Sequence, residues 1–265
     1  MRGIYLLPFL LAASAQTDSG LASAPPLPPP PSDAFLIACA EGAPSCAHVW
    51  AAPVPPLFRA SILTTAGPLS ILVNSSWAPA FAARFFVLSQ LLYWEGGPFY
   101  RVLRTPTGSA QFVAQFGYRG APSVDAAWLA LRTSNATERV LLPNARGTVA
   151  FGTSEVPRSA ATPHCTAPQC SLGFSVELFI NLADNAAKLD AMGFSPFGLV
   201  EDMASVDALF AGYGECADLC QQEGSDPYCV PTPSGGFAGI NLTRFLVEGN
   251  DYVLPRFPLL DRVAL

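Results

Sequence analysis

Phe99-Tyr100-Arg101-Val102-Leu103 and, after a short insert, Gln111-Phe112-Val113-Ala114-Gln115-Phe116-Gly117 decide how this 265-residue chain is read. In the second half, Phe112, Ala114 and Phe116 alternate with Val113, Gln115 and Gly117. The first half sets one arginine among aromatic and β-branched residues. Both halves predict strands, because period-2 patterning rich in Phe, Val and Tyr suits a pleated surface. An arginine and a glutamine on neighbouring strands can then converge on one face, beside Phe112 and Val113.

Two later stretches belong with this pair. One is Arg146-Gly147-Thr148-Val149-Ala150-Phe151. The other is Phe179-Ile180-Asn181-Leu182-Ala183-Asp184-Asn185, followed by Leu189-Asp190 and Phe197-Gly198-Leu199-Val200. Together the blocks resemble the cyclophilin-type prolyl isomerases, whose signatures run F-x-R-V, F-M-x-Q-x-G, R-G-x-[IVL]-[AS]-M, and F-F-I-N with L-D and F-G-x-V. The blocks keep the family order over roughly Ala60 to Ala211. The resemblance implies a mainly β fold, a closed eight-stranded antiparallel β-barrel capped by two α-helices. It also implies a cofactor-free and metal-free peptidyl-prolyl cis-trans isomerase whose partners are proline-containing peptides or proteins.

Carried over residue by residue, the resemblance gives Arg101 and Gln115 the catalytic roles, the guanidinium and the amide that orients it. Phe112, Val113, Phe179 and Leu189 match the proline pocket, and Gly152 and Thr153 match the edge that binds substrate backbone. The sequence departs from the family at several of these places. Val113 replaces Met, Thr153 stands where Asn is common, Leu178 replaces a Phe, and Lys188 precedes Leu189-Asp190 where an apolar residue is usual. No His follows Leu189-Asp190; Phe194 is expected to fill that wall. Glu177 stands in place of Gln and shares a strand face with Phe179, since alternate residues point to one side. Its carboxylate is therefore expected in the groove, pairing with Arg101 and weakening activity. A rim position that selects basic substrates is the alternative. Without the resemblance, Arg101 reads as a surface ion pair and the phenylalanines as core.

Composition narrows the class. A chain that is 51% hydrophobic and 13% charged has ample core, and a net charge of −6 with no basic run argues against a nucleic-acid surface. Arg2, the apolar run Ile4 to Ala13 and Ala13-Ser14-Ala15 read as a signal peptide over residues 1–15, too short to span a bilayer. The expected destination is the secretory pathway, secreted or in the ER lumen, with a plastid lumen reached by a two-part leader as the second possibility. Seven cysteines in an exported chain predict disulfides in local groups, Cys39/Cys46, Cys165/Cys170 and Cys216/Cys220/Cys229, with one left over. Metal binding is the rival, but no group has paired CxxC spacing. Sequons at Asn74, Asn135 and Asn241 fit the same route, although sequons also arise by chance.

Along the chain, residues 16–58 are a proline-rich linker and a cysteine-bearing lead-in, and 59–265 the cyclophilin-like domain, with a cysteine-containing extension from about residue 212. The linker's PPPP run could instead be a ligand for an aromatic groove. Pro79 opens a helix whose face is Phe81, Phe85, Leu88 and Leu92, ended by Gly96-Gly97. Ala121–Asn144 and Thr153–Leu172 read as loops, with Trp128 as packing. Asp202 reads as the N-cap of a second helix running through Phe210. The expected function is a monomeric prolyl isomerase without a membrane span, assisting folding of exported proteins. Its rivals are a non-catalytic module that binds proline-containing segments and a thiol oxidoreductase built on Cys216-x-x-x-Cys220, weak for want of CxxC.

Overall fold

The computed structural model describes residues 29–104, 111–134, 137–223 and 228–264. The expected signal peptide, most of the proline-rich linker, the insert after Arg104 and the Asn135 sequon lie outside them. Among the described residues, seven strands form one antiparallel sheet: β1 (Leu57–Thr64), β2 (Gly67–Asn74), β3 (Arg101–Arg104), β4 (Gln111–Phe116), β5 (Thr148–Pro157), β6 (Gln169–Asn181) and β7 (Gly198–Val200). Their order is β1-β2-β7-β5-β6-β4-β3. The expected closed barrel of eight strands is thus corrected to a seven-stranded sheet with β1 and β3 at its edges. What meets both edges is the chain's last segment, through single bridges Thr64↔Val263 and Pro98↔Arg262. Ala264 N–H donates to the Leu63 carbonyl at 2.8 Å, and Phe99 N–H to the Asp261 carbonyl at 2.8 Å. The Asp261 carboxylate fixes the segment by accepting from Thr65 Oγ1 and Phe210 N–H, each at 2.7 Å. Four residues are too few to build a ladder with both neighbours, so this segment is a strap between β1 and the stretch before β3 and not an eighth strand.

Helices cover the sheet: α1 (Asp33–Ala40), α2 (Ala47–Trp50), α3 (Pro79–Gln90), α4 (Pro122–Leu129), α5 (Ala186–Met192), α6 (Ala204–Ala208), α7 (Ala217–Glu223), α8 (Leu242–Glu248) and α9 (Asn250–Arg256). None of the described helices is long and apolar enough to cross a membrane. Helix α3 buries Phe81, Phe85 and Leu88 as its spacing dictates. It stops earlier than expected, because Leu92 takes a positive φ of 48° and leaves the helical path before Gly96 is reached. The Phe81 ring sits 4.5, 5.3 and 6.4 Å from those of Phe174, Phe151 and Phe197, which makes it the hub of the core.

Three expected loops or caps are corrected. Ala121–Asn144 contains α4, started by Pro122 and anchored by fully buried Trp128, whose indole N–H donates to the Leu36 carbonyl at 3.0 Å. Thr153–Leu172 is a loop only over residues 158–168, because β5 and β6 keep pairing out to Pro157↔Gln169 and make its two ends an arm. The N-cap of α6 is Met203, and Asp202 acts one residue earlier by accepting the Ala204 N–H at 2.9 Å; the helix ends at Ala208, short of Phe210. The lead-in also gains a structure: Ser32 caps α1, Cys39 bonds to Cys46, and Trp50 stacks on Trp128 at 5.7 Å.

Disulfides join Cys39–Cys46, Cys165–Cys170 and Cys220–Cys229, leaving Cys216 as a buried thiol. Titration of the unreduced protein in denaturant is therefore expected to find one thiol per chain, and six or seven would contradict this pairing. Among the described residues no cluster of three His, Cys, Asp or Glu is placed to hold a metal ion.

Candidate functional site

The two faces of the sheet are different environments. Along β3, β4, β6 and β5, the register aligns Val102, Ala114, Ile180 and Val149 on the inner face, all part of the main core. One residue along, the same register aligns Arg101, Gln115, Phe179 and Ala150 on the outer face. There Leu103, Val113, Ala150 and Phe179 form a second apolar cluster with Leu189, Met192 and Phe194, and Phe112 packs against it. The rings of Phe179 and Phe194 meet edge-on at 5.5 Å. Period-2 geometry thus sets Arg101, Val113, Gln115 and Phe179 on one face; α5 and the turn after it add Leu189 and Phe194, and Phe112 joins them from the rim of β4 by packing against the cluster.

Gly152 and Thr153 border it at a register shift in β5. A Cβ on Gly152 would meet the Glu177 side chain at 2.9 Å, so glycine is what lets the two strands approach there. Thr153 directs its hydroxyl away, to Ser171 Oγ at 2.8 Å. Beyond Thr148 and Val149, which pair with β7, the opposite edge of β5 has no strand partner among the described residues.

A polar network runs through the site. Arg101 Nη1 donates to Gln115 Oε1 at 2.9 Å, and Gln115 Nε2 donates on to Glu177 Oε1. Glu177 also accepts from the hydroxyls of Tyr100, at 2.6 Å, and Tyr118, at 2.7 Å. Glu177 is on the face of Gln115, but it makes no ion pair with Arg101: Gln115 stands between it and the guanidinium. The carboxylate that binds Arg101 is Glu215, which accepts from Nε at 2.6 Å and from Nη2 at 2.5 Å, a bidentate fork. Glu215 Oε1 also accepts the Cys216 N–H at 2.7 Å. Burial works against the charge on Arg101, yet the hydrogen bonds and charge of Glu215 hold the guanidinium above its ordinary pKa. Burial and then the Glu177 charge push both tyrosine hydroxyls well above the usual range, so both stay donors.

Glu215 carried no signal in the sequence: it is separated from Arg101 by 114 positions and sits in what reads as a tail. The same holds for Tyr228, whose ring stacks on Phe112 at 6.2 Å, while Lys188 Nζ lies 5.5 Å from the centre of the Phe112 ring. An open depression of about 590 Å³ lies alongside, bounded by Glu155, Gln169, Lys188 and Met192 among others; Arg101 and Gln115 do not line it.

These contacts reverse the expectation for Glu177. Glu177→Gln is expected to give no gain in activity on a neutral peptide, because Arg101 is not what Glu177 holds. The variant should lose about 1–3 kcal/mol of stability, as an amide N–H₂ would face groups that now donate to the carboxylate. Urea unfolding and a rate on a neutral proline peptide check both parts.

No protein-family model matches the chain, and no match is found among curated proteins. Solved structures do show similarity. A cyclophilin-type peptidyl-prolyl cis-trans isomerase of Cryptosporidium parvum aligns with a TM-score of 0.40 at 13% identity, over 68% of this chain and 90% of its own. The same protein in the presence of the dipeptide Ala-Pro aligns with a TM-score of 0.39 at 13% identity, over the same shares. A cyclophilin of Hirschia baltica aligns with a TM-score of 0.37 at 15% identity, over 58% of this chain and 67% of its own. At these scores the likeness assigns neither an activity nor a site residue.

Proposed function

We propose that the chain is a peptidyl-prolyl cis-trans isomerase acting on X–Pro bonds of exported proteins. One observation carries the reading: Arg101 and Gln115 share a hydrogen bond on neighbouring strands, on the face that also carries the apolar cluster of Val113, Phe179, Leu189 and Phe194. An X–Pro bond turns slowly because twisting sacrifices amide resonance, against a barrier of about 18–20 kcal/mol. Lowering it needs no covalent step. The proline ring must be held against apolar groups, the flanking backbone anchored, and the twisted amide stabilised. A guanidinium near the prolyl nitrogen does the last, since that nitrogen gains lone-pair character only as the bond twists. Its attraction is then stronger in the transition state than in the ground state.

In this reading Arg101 is the donor and Gln115 fixes its plane. Phe112 and the cluster residues Val113, Phe179, Leu189 and Phe194 receive the proline. Gly152 and Thr153 border the backbone track, and Glu177, with Tyr100 and Tyr118, holds Gln115. Three disulfides support an oxidising, secretory setting. The Glu215 fork favours a second reading, a module that binds proline segments without turning them over, because a guanidinium neutralised by a carboxylate attracts a prolyl nitrogen less. A protease-coupled isomerisation assay on a neutral proline peptide separates the two. Slow but protein-dependent acceleration supports the isomerase; saturable binding without acceleration supports the module.

A further inference from the structure

Arg101 already has a partner supplied by its own chain. Glu215 reaches it from the residue after Gly214, and its side chain is only 3% exposed, against 20% for Arg101. Tyr228 stacks on Phe112, and its carbonyl accepts the Glu215 N–H at 3.0 Å. The two contacts are therefore made by one unit. Gly214, at φ +67°, has no room for a Cβ, which would lie 2.3 Å from the Tyr228 carbonyl oxygen. The Cys220–Cys229 disulfide fastens the residue after Tyr228 to α7. Glu215 takes the Nε–Nη2 edge of the guanidinium, where two donors lie side by side.

We infer that the Glu215–Tyr228 unit is an intramolecular cover, which has to lift from Arg101 and Phe112 before a proline-containing segment can enter. The identity of the incoming ligand rests on the isomerase reading, whereas the cover rests on the contacts alone. The chain holds its own reporter. Cys216 is the unpaired cysteine, adjoins Glu215 and is 1% exposed. Burial first, and the Glu215 charge with it, push the thiol pKa up against the opposing pull of Arg101. With the cover down, Cys216 is occluded and protonated; lifting the cover wets it.

The test is the rate at which an uncharged alkylating reagent labels Cys216 in the native, disulfide-intact protein. Glu215→Gln keeps the shape but leaves a buried guanidinium without its counter-charge, a costly arrangement that opening relieves. Labelling is expected to rise at least about tenfold, with the melting transition retained. Tyr228→Ala, which removes the ring from Phe112 and leaves the Arg101–Glu215 fork in place, should raise it less and keeps the test alive if Glu215→Gln fails to fold. A neutral proline peptide in excess should also speed labelling of the unaltered chain, because a ligand that binds only the open state shifts the population toward it. Wild-type labelling rates in both variants overturn the cover, as does an increase that only follows global unfolding. Faster labelling in Glu215→Gln with no response to the peptide in any variant keeps the cover and refutes the isomerase reading. Arg101-dependent isomerisation with labelling unmoved by either variant does the reverse.

Discussion

Replacing Arg101 by alanine is expected to lower kcat/KM on a proline peptide by about two to three orders of magnitude, as loss of a positioned transition-state donor does. It is expected to lower stability as well. The Arg101 side chain is one-fifth exposed, but its partner Glu215 is buried, and removing one member of such a pair leaves a charge without compensation, at about 3–5 kcal/mol. The two effects separate in a double-mutant cycle. Adding Glu215→Ala to Arg101→Ala should recover a large part of the lost stability, since the stranded carboxylate is gone, and should recover none of the rate. Urea unfolding at several protein concentrations and the isomerisation assay give the four values needed. A single variant as stable as the parent would mean that the fork contributes little. Rate recovered by the second substitution would remove Arg101 from the chemistry.

Phe81→Ala is expected to cost about 3–5 kcal/mol and to lower the melting temperature by roughly 10 °C. The ring is fully buried in α3 and touches rings from β5, β6 and the residue before β7, so its removal opens a cavity that three strands cannot close together. The outer face does not depend on it directly. Gln115 and Phe179 should keep their alignment, and any activity should fall only in proportion to the unfolded fraction. Calorimetry checks the first part. A loss below about 1 kcal/mol would mean that the core repacks around the gap.

The alternation in Gln111–Phe116 and in Phe179–Asn181 made the two-faced sheet legible, because a strand with one face in the core has to alternate. The same alternation sets Gln115 on the face of Val113 and Glu177 on that of Phe179, while the pairing of Arg101 with Gln115 comes from the β3–β4 register. Helix α3 was equally plain from Pro79 and its apolar spacing, apart from its end, where a left-handed leucine does the work assigned to a glycine. Other features were not legible, and each has a reason. The β5–β6 arm carries prolines and small polar residues that suit a loop, and only pairing across the arm makes it extended. Helix α4 is short, and its packing on α1, where its Trp128 donates to the Leu36 carbonyl, shows in no local pattern. The strap at Asp261–Ala264 exists through contacts to two distant edges, so its sequence has no strand period to show. Glu215 is the most consequential omission. A carboxylate in a glycine- and cysteine-rich tail has no periodic or motif signal, and only the path of the chain brings it onto Arg101.

The measurement closest to the central claim is cis–trans exchange of a neutral peptide with one X–Pro bond, followed by NMR at equilibrium with catalytic amounts of protein. It detects weak turnover without a coupling protease. Exchange is expected to quicken in proportion to the unaltered protein, to quicken further with Glu215→Gln, and to return to the uncatalysed rate when Arg101→Ala is combined with Glu215→Gln. Exchange that stays at the uncatalysed rate with every form, or that remains fast without Arg101, would contradict the account.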